Sequence, residues 1–109
     1  MNEEDVRFMW LFVFFDLPVG SKEQRRRATR FRGALKDDGF MMLQFSVYAR
    51  VCRGQDAVEK HLRRVRGTLP SEGSIRALQV TDRQYGHMEL MLGMAPKTER
   101  FGADQMVLL

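Results

Sequence analysis

Residues 7–18 read RFMWLFVFFDLP, and the fold turns on how this stretch is taken. Phe8 to Phe15 is an unbroken apolar run, rich in aromatic and β-branched types and too short for a typical helix. It predicts a strand over residues 7–15 that is buried on both faces. Asp16 then stands at the mouth of a segment that otherwise wants burial, and Pro18 and Gly20 end it.

Downstream, Ser21 opens the capping box S-K-E-Q, in which Gln24 takes the third helical position. A helix is predicted from there to about Lys36, with Gly39 as its stop. At about 100° per residue, Ala28, Phe31 and Leu35 form a core stripe flanked by Ala34, while Arg25, Arg32 and Lys36 line the opposite flank. Residues 40–51, FMMLQFSVYARV, alternate with strand period, Leu43, Phe45, Val47, Ala49 and Val51 being the apolar set. That run is about twice the usual strand length, so it is predicted to divide near residues 44–46 into two strands. Asp56 and Glu59 read as a second capping box, starting a helix to about Arg66. Its core side is Val58, Leu62 and Val65, and its polar side Lys60, Arg63, Arg64 and Arg66.

Residues 67–73 form a loop, residues 75–80 a strand, and Thr81 with Gln84 caps a short helical turn. Residues 88–92 read as a short edge strand. A polar linker at 93–104 leads to the apolar tail QMVLL, which is expected to pair with a sheet edge and can reach a second subunit. The order β-α-β-β-α-β predicts an α+β, ferredoxin-like sandwich over residues 1–92, with two helices on one face of an antiparallel sheet. Residues 93–109 are the linker and an added C-terminal strand pairing with the partner. The other sheet face carries aromatics and needs a cover, which a two-fold homodimer closing sheet on sheet supplies.

Size and composition agree. With 109 residues, 44% hydrophobic and 29% charged, the chain is one domain with a modest core. Its eight-residue apolar run falls far short of the roughly 20 residues that cross a bilayer. The acidic start MNEEDVR is unlike a secretory signal, and a cytoplasmic protein is predicted. Cys52, the single cysteine, cannot form a disulfide within the chain or a structural zinc site, and reads as a small half-buried residue. The net charge of +4 says little, but its distribution says more. Between Lys22 and Lys36 lie seven basic residues, Lys22, Arg25, Arg26, Arg27, Arg30, Arg32 and Lys36, against one acid, Glu23.

Two readings compete for each candidate. Asp16 is either a cap of the following turn or a magnesium ligand. One carboxylate is a poor divalent-metal site, whereas two copies facing each other across a dimer axis provide two. The basic helix is either a solvated face or a phosphate-binding surface, and the scarcity of acids for i,i+4 pairing favours phosphate. His61 and His87 read as packed or surface histidines. Gln44, Ser46, Tyr48 and Arg50 share one side of a strand and read as an exposed edge. No zinc spacing, phosphate-binding glycine loop or dinucleotide fingerprint is present.

F-D-L-P, the basic helix, D-G-F and Q-F-S-V-Y, at these spacings, closely resemble the small CRISPR-associated adaptation family Cas2, in particular its type II branch. The likeness extends more weakly through residues 73–93 to the terminal apolar strand. It implies a ferredoxin-like homodimer with an exchanged C-terminal strand, and a magnesium-dependent endonuclease whose ligand and catalytic aspartate falls on Asp16. It also implies that two dimers of the larger integrase subunit, Cas1, are bridged around double-stranded DNA. Arg25, Arg26, Arg27, Arg30 and Arg32 are then backbone contacts. Many relatives have tyrosine where this chain has Phe15, so a hydroxyl beside the metal is missing. Three functions follow: an adaptation subunit that bridges integrase dimers on duplex DNA, a free-standing nuclease with paired Asp16, and an RNA-binding module. The last lacks the aromatic strand signature of such modules. Family members can act in integration without cleavage, which ranks scaffold above enzyme.

Overall fold

The computed structural model describes residues 7–94. The elements are β1 (Phe8–Asp16), α1 (Lys22–Asp37), β2 (Met41–Gln44), β3 (Val47–Arg53), α2 (Gln55–Arg66), β4 (Ser74–Thr81) and α3 (Asp82–Gly86). The four strands form one sheet in the order β2-β3-β1-β4, antiparallel at every step. This is the ferredoxin-like α+β arrangement read from the sequence. The predicted C-terminal strand at 105–109 lies outside the described residues.

β1 is central, so both of its faces have something to bury. Leu11, Val13 and Phe15 point to the side covered by α1 and α2, where Phe31, Leu35, Tyr48, Val58 and Val65 close the core. Phe15 and Phe31 meet edge to face, 5.2 Å between centroids. Trp10 and Phe12 point to the other side and pack with Ala49 and Tyr85. Each fully buried side chain of this size stabilises by about 1.5–3 kcal/mol.

The second face is only half covered. The capping box of Thr81 and Gln84 starts α3, which lays Tyr85 on Trp10 with ring centroids 3.9 Å apart. The Trp10 indole N–H donates to Asp82 Oδ1 at 2.7 Å. Farther along the face, Leu78 is left exposed and Phe14 half-buried. No helix among the described residues is long and apolar enough to cross a membrane.

Ser21 caps α1 as read from the sequence, its hydroxyl accepting from the Gln24 N–H at 3.0 Å while Gln24 Oε1 accepts from the Ser21 N–H. The long β run also divides where expected, at the turn of Phe45 and Ser46. Four local readings are corrected. Asp56 is not a cap: Gly54, at φ 84°, turns the chain straight out of β3, and α2 begins at Gln55 with no side-chain cap. The core stripe of α2 is Val58, His61 and Val65, with Leu62 only half-buried, because the inward-facing His61 ring reaches the part-buried Asp38. Residues 88–92 form no strand; after α3 the chain runs irregularly with Leu90, Met91 and Leu92 exposed. Tyr48 is fully buried rather than on an exposed edge, since β2 lies outside β3 and Tyr48 pairs with Val13 beneath the helices.

Candidate nucleic-acid interface

The side of α1 away from its core stripe Ala28, Phe31 and Leu35 meets solvent. Lys22, Arg25, Arg26 and Arg30, with Thr29, line a shallow open groove on it. Not all the cations are equally free. Arg26 pairs with Glu23 at 3.3 Å, and Arg27 pairs with Glu72 of the α2–β4 loop at 2.8 Å and approaches Glu23 at 3.8 Å. Arg25 donates to the Val19 carbonyl at 3.2 Å. Arg30 and Lys36 are exposed and make no ion pair among the described residues. Arg32 lies over two rings, its guanidinium carbon 3.9 Å from the Phe45 centroid and 5.5 Å from that of Phe15. Of the flank Arg25, Arg32 and Lys36, the two ends reach water while the middle member is folded onto aromatics.

Asp16 is exposed at the end of β1 and pairs with Ser74. Its neighbours Phe15 and Leu17 both pack beneath the helices, so strand alternation puts the Asp16 side chain on the opposite, open face. The backbone there is held from two sides. Gly73, at φ 103°, sits so close that a Cβ would come within 2.8 Å of the Asp16 carbonyl oxygen, and the Phe15 N–H donates to the Ser46 carbonyl at 3.1 Å. No hydrogen bond or ion pair holds the carboxylate among the described residues, so it caps no turn there. The cations of α1 and the Asp16 carboxylate therefore occupy opposite faces of the sheet. Among the described residues no group of three His, Cys, Asp or Glu side chains could hold a metal ion.

A polar cluster that the sequence reading missed ties the two helices together. Asp38, just past α1, accepts from His61 Nδ1 at 2.7 Å through Oδ2 and from Arg64 Nη1 at 2.7 Å through Oδ1. His61 is buried, and the carboxylate beside Nδ1 places the ring proton on that nitrogen. Arg50 Nη1 donates to the Asp38 carbonyl and its Nε to the Val51 carbonyl. Gly39, at φ 87°, turns the chain beside the Arg50 guanidinium, and Phe40 drops into the core. Burial works to raise the Asp38 carboxyl, but the hydrogen bonds and charges of His61 and Arg64 outweigh it, holding the carboxyl below its ordinary value. The signal that could have found this cluster is D-G-F together with a histidine on the apolar side of α2.

Two further titratable groups are inert. Burial pushes the Tyr48 hydroxyl up, against the charge of Arg32, and the Cys52 thiol up, against Arg50. Cys52 stays protonated and enclosed, so native protein should react with iodoacetamide at least about 100-fold more slowly than unfolded protein. Mass spectrometry of timed aliquots checks this.

Residues 9–88 match the family model described as CRISPR associated protein Cas2. The chain belongs to the Cas2 family. It is 47% identical over 90 residues to the CRISPR-associated endoribonuclease Cas2 of Flavobacterium psychrophilum, covering 83% of this chain and 78% of that one. It is 52% identical over 86 residues to the protein of the same name from Acidovorax ebreus, covering 79% and 84%. To that of Ligilactobacillus salivarius it is 39% identical over 101 residues, covering 93% and 100%. The match to the Cas2 model spans β1 to the end of α3, and so takes in Asp16, the cations of α1 and the Asp38 cluster.

Proposed function

We propose that this Cas2 protein is the nucleic-acid-holding subunit of CRISPR spacer acquisition. It binds double-stranded DNA through its phosphate backbone and, as a two-fold homodimer, bridges dimers of the integrase subunit Cas1. The observation that carries this reading is the open groove of Lys22, Arg25, Arg26 and Arg30 on α1. Arginine forks suit phosphate oxygens, and contacts of this kind fix position without reading sequence. The homodimer covers the half-bare sheet face around Leu78 and Phe14.

A second reading is a magnesium-dependent endonuclease, favoured by the position of Asp16 and by the endoribonuclease names of the relatives. One chain offers a single carboxylate, which does not by itself fit the ion. Two Asp16 carboxylates across the two-fold axis fit it, since magnesium takes one or two carboxylates and completes its shell with water and phosphate. Bound there, the ion would stabilise charge on a scissile phosphate; Asp16 would hold it, and α1, on the other face, would hold a separate stretch of backbone.

Replacing Arg25, Arg26 and Arg30 together with alanine tests the first reading. Affinity for unrelated duplexes should fall alike, and the slope of log K against log salt should flatten by roughly 0.9 for each phosphate no longer neutralised, nearly three for each subunit that contacts the duplex. A slope equal to that of the wild type makes the groove a plain solvated face.

A further inference from the structure

Phe45 is the one aromatic side chain among the described residues that is mostly exposed, at 67%. A single exposed apolar side chain on a protein surface needs no explanation. The setting of this one is different in three respects. First, the Arg32 guanidinium lies 3.9 Å from its centroid, so one face of the ring is held by a cation. Arg32 Nε is buried without a hydrogen-bond partner, and the guanidinium pairs with no carboxylate among the described residues. Its charge is given to the rings of Phe45 and Phe15. Second, the turn that carries Phe45 is pinned to the central strand, because the next residue, Ser46, accepts from the Phe15 N–H at 3.1 Å. Third, Arg32 belongs to the helix whose exposed cations form the groove.

A fixed ring with an accessible surface beside a cationic track is the composition of a base-stacking platform. We infer that Phe45, backed by Arg32, stacks an unpaired nucleobase of a nucleic-acid strand whose phosphates lie on α1. The inference rests on the nucleic-acid reading above and adds the kind of segment recognised, a single-stranded stretch or frayed end. In a duplex each internal base already has neighbours on both faces, so its π-face is not available to Phe45. An unpaired base offers that face whatever its identity or sugar, so the platform tolerates sequence and accepts DNA and RNA alike. The Phe45 turn and Asp16 also share one end of the sheet, on either side of the Phe15–Ser46 hydrogen bond. A strand stacked on Phe45 is thereby brought to the sheet end that carries Asp16.

The test compares Phe45→Ala and Phe45→Tyr with wild type. Probes are a single-stranded DNA 12-mer containing 2-aminopurine, the RNA of the same sequence, and a blunt duplex of the same length. For Phe45→Ala, single-strand affinity should fall about 5- to 150-fold, the range for losing one base–aromatic stack, with duplex affinity within about twofold. Wild type and Phe45→Tyr should quench the 2-aminopurine, and Phe45→Ala should not. Equal affinity and quenching in all three proteins overturns the platform while leaving the nucleic-acid reading intact. Wild type that binds none of the probes at low salt overturns both. If Phe45→Ala instead changes the mass in light scattering or copurification with the integrase subunit, with probe binding unaltered, the ring is a protein contact and the inference fails. Unchanged thermal melting of the alanine variant confirms that the comparison is between folded proteins.

Discussion

Replacing Asp38 with alanine should destabilise the protein by about 2–3 kcal/mol and lower its Tm by roughly 10–20 °C. The loss has one principal source. Arg64 is half exposed and can turn to water, so its pair with Asp38 contributes little. His61 is different, because its side chain is almost wholly buried and its Nδ1–H has the Asp38 carboxylate as acceptor at 2.7 Å. Removing that acceptor leaves the buried Nδ1 with only Arg50 Nη1, at 3.5 Å, in place of a short bond to a carboxylate, and hydrogen bonds to charged groups are the strong ones. The effect is structural, through the junction of α1 and α2, so the groove at the other end of α1 should keep its affinity for duplex DNA.

The pH dependence of the Asp38 contribution has a definite sign. The folded carboxyl lies below its ordinary value, so the stabilisation is fully present above the unfolded-state value of about 4. It is lost as pH falls through the lowered, folded value. The stability gap between wild type and Asp38→Asn should therefore be constant from neutral pH down to about 5 and then close in more acid solution. Urea melts at stepped pH check this, and a gap that does not narrow as the solution is acidified would show that ionisation of Asp38 is not its origin.

The same cluster marks where the sequence stops being legible. Patterns local in the chain are readable: the capping box at Ser21 and Gln24, the apolar run of β1, and the break of the β run at Phe45 and Ser46. The Asp38 cluster joins residues separated by 12, 23 and 26 positions, and no local period announces it. Tyr48 is misread for a related reason. Alternation says which residues share a face, not which face is buried, and the outer position of β2 decides that. Gly54 hides the start of α2, because a glycine at positive φ can open a helix with no side chain in the turn. For the candidate site, residue types are legible but their engagement is not. Nothing local in the sequence shows that Glu72, 45 residues away, occupies Arg27, or that Arg32 is spread over two rings.

Asp16→Asn should separate the two readings of function. Asparagine keeps the size of the side chain, and the Asp16 backbone is held by Gly73 and by the Phe15–Ser46 bond, neither of which involves the carboxylate. Stability should thus stay within about 0.5 kcal/mol of wild type, as for other exposed positions. Affinity for duplex DNA should hold or tighten slightly, since one negative charge per subunit is gone and the α1 groove on the other face is untouched. Any magnesium-dependent cleavage should fall by at least about a thousandfold, because on the second reading two neutral amides would stand in place of the paired carboxylates and would not compensate the charge of the ion. Spacer integration with the integrase subunit is the decisive readout. If it persists in the substituted protein while cleavage vanishes, the carboxylate is dispensable and the protein works by holding DNA. If integration is lost while dimer mass and DNA affinity remain those of the wild type, the paired carboxylates belong to the function and the order of the two readings reverses.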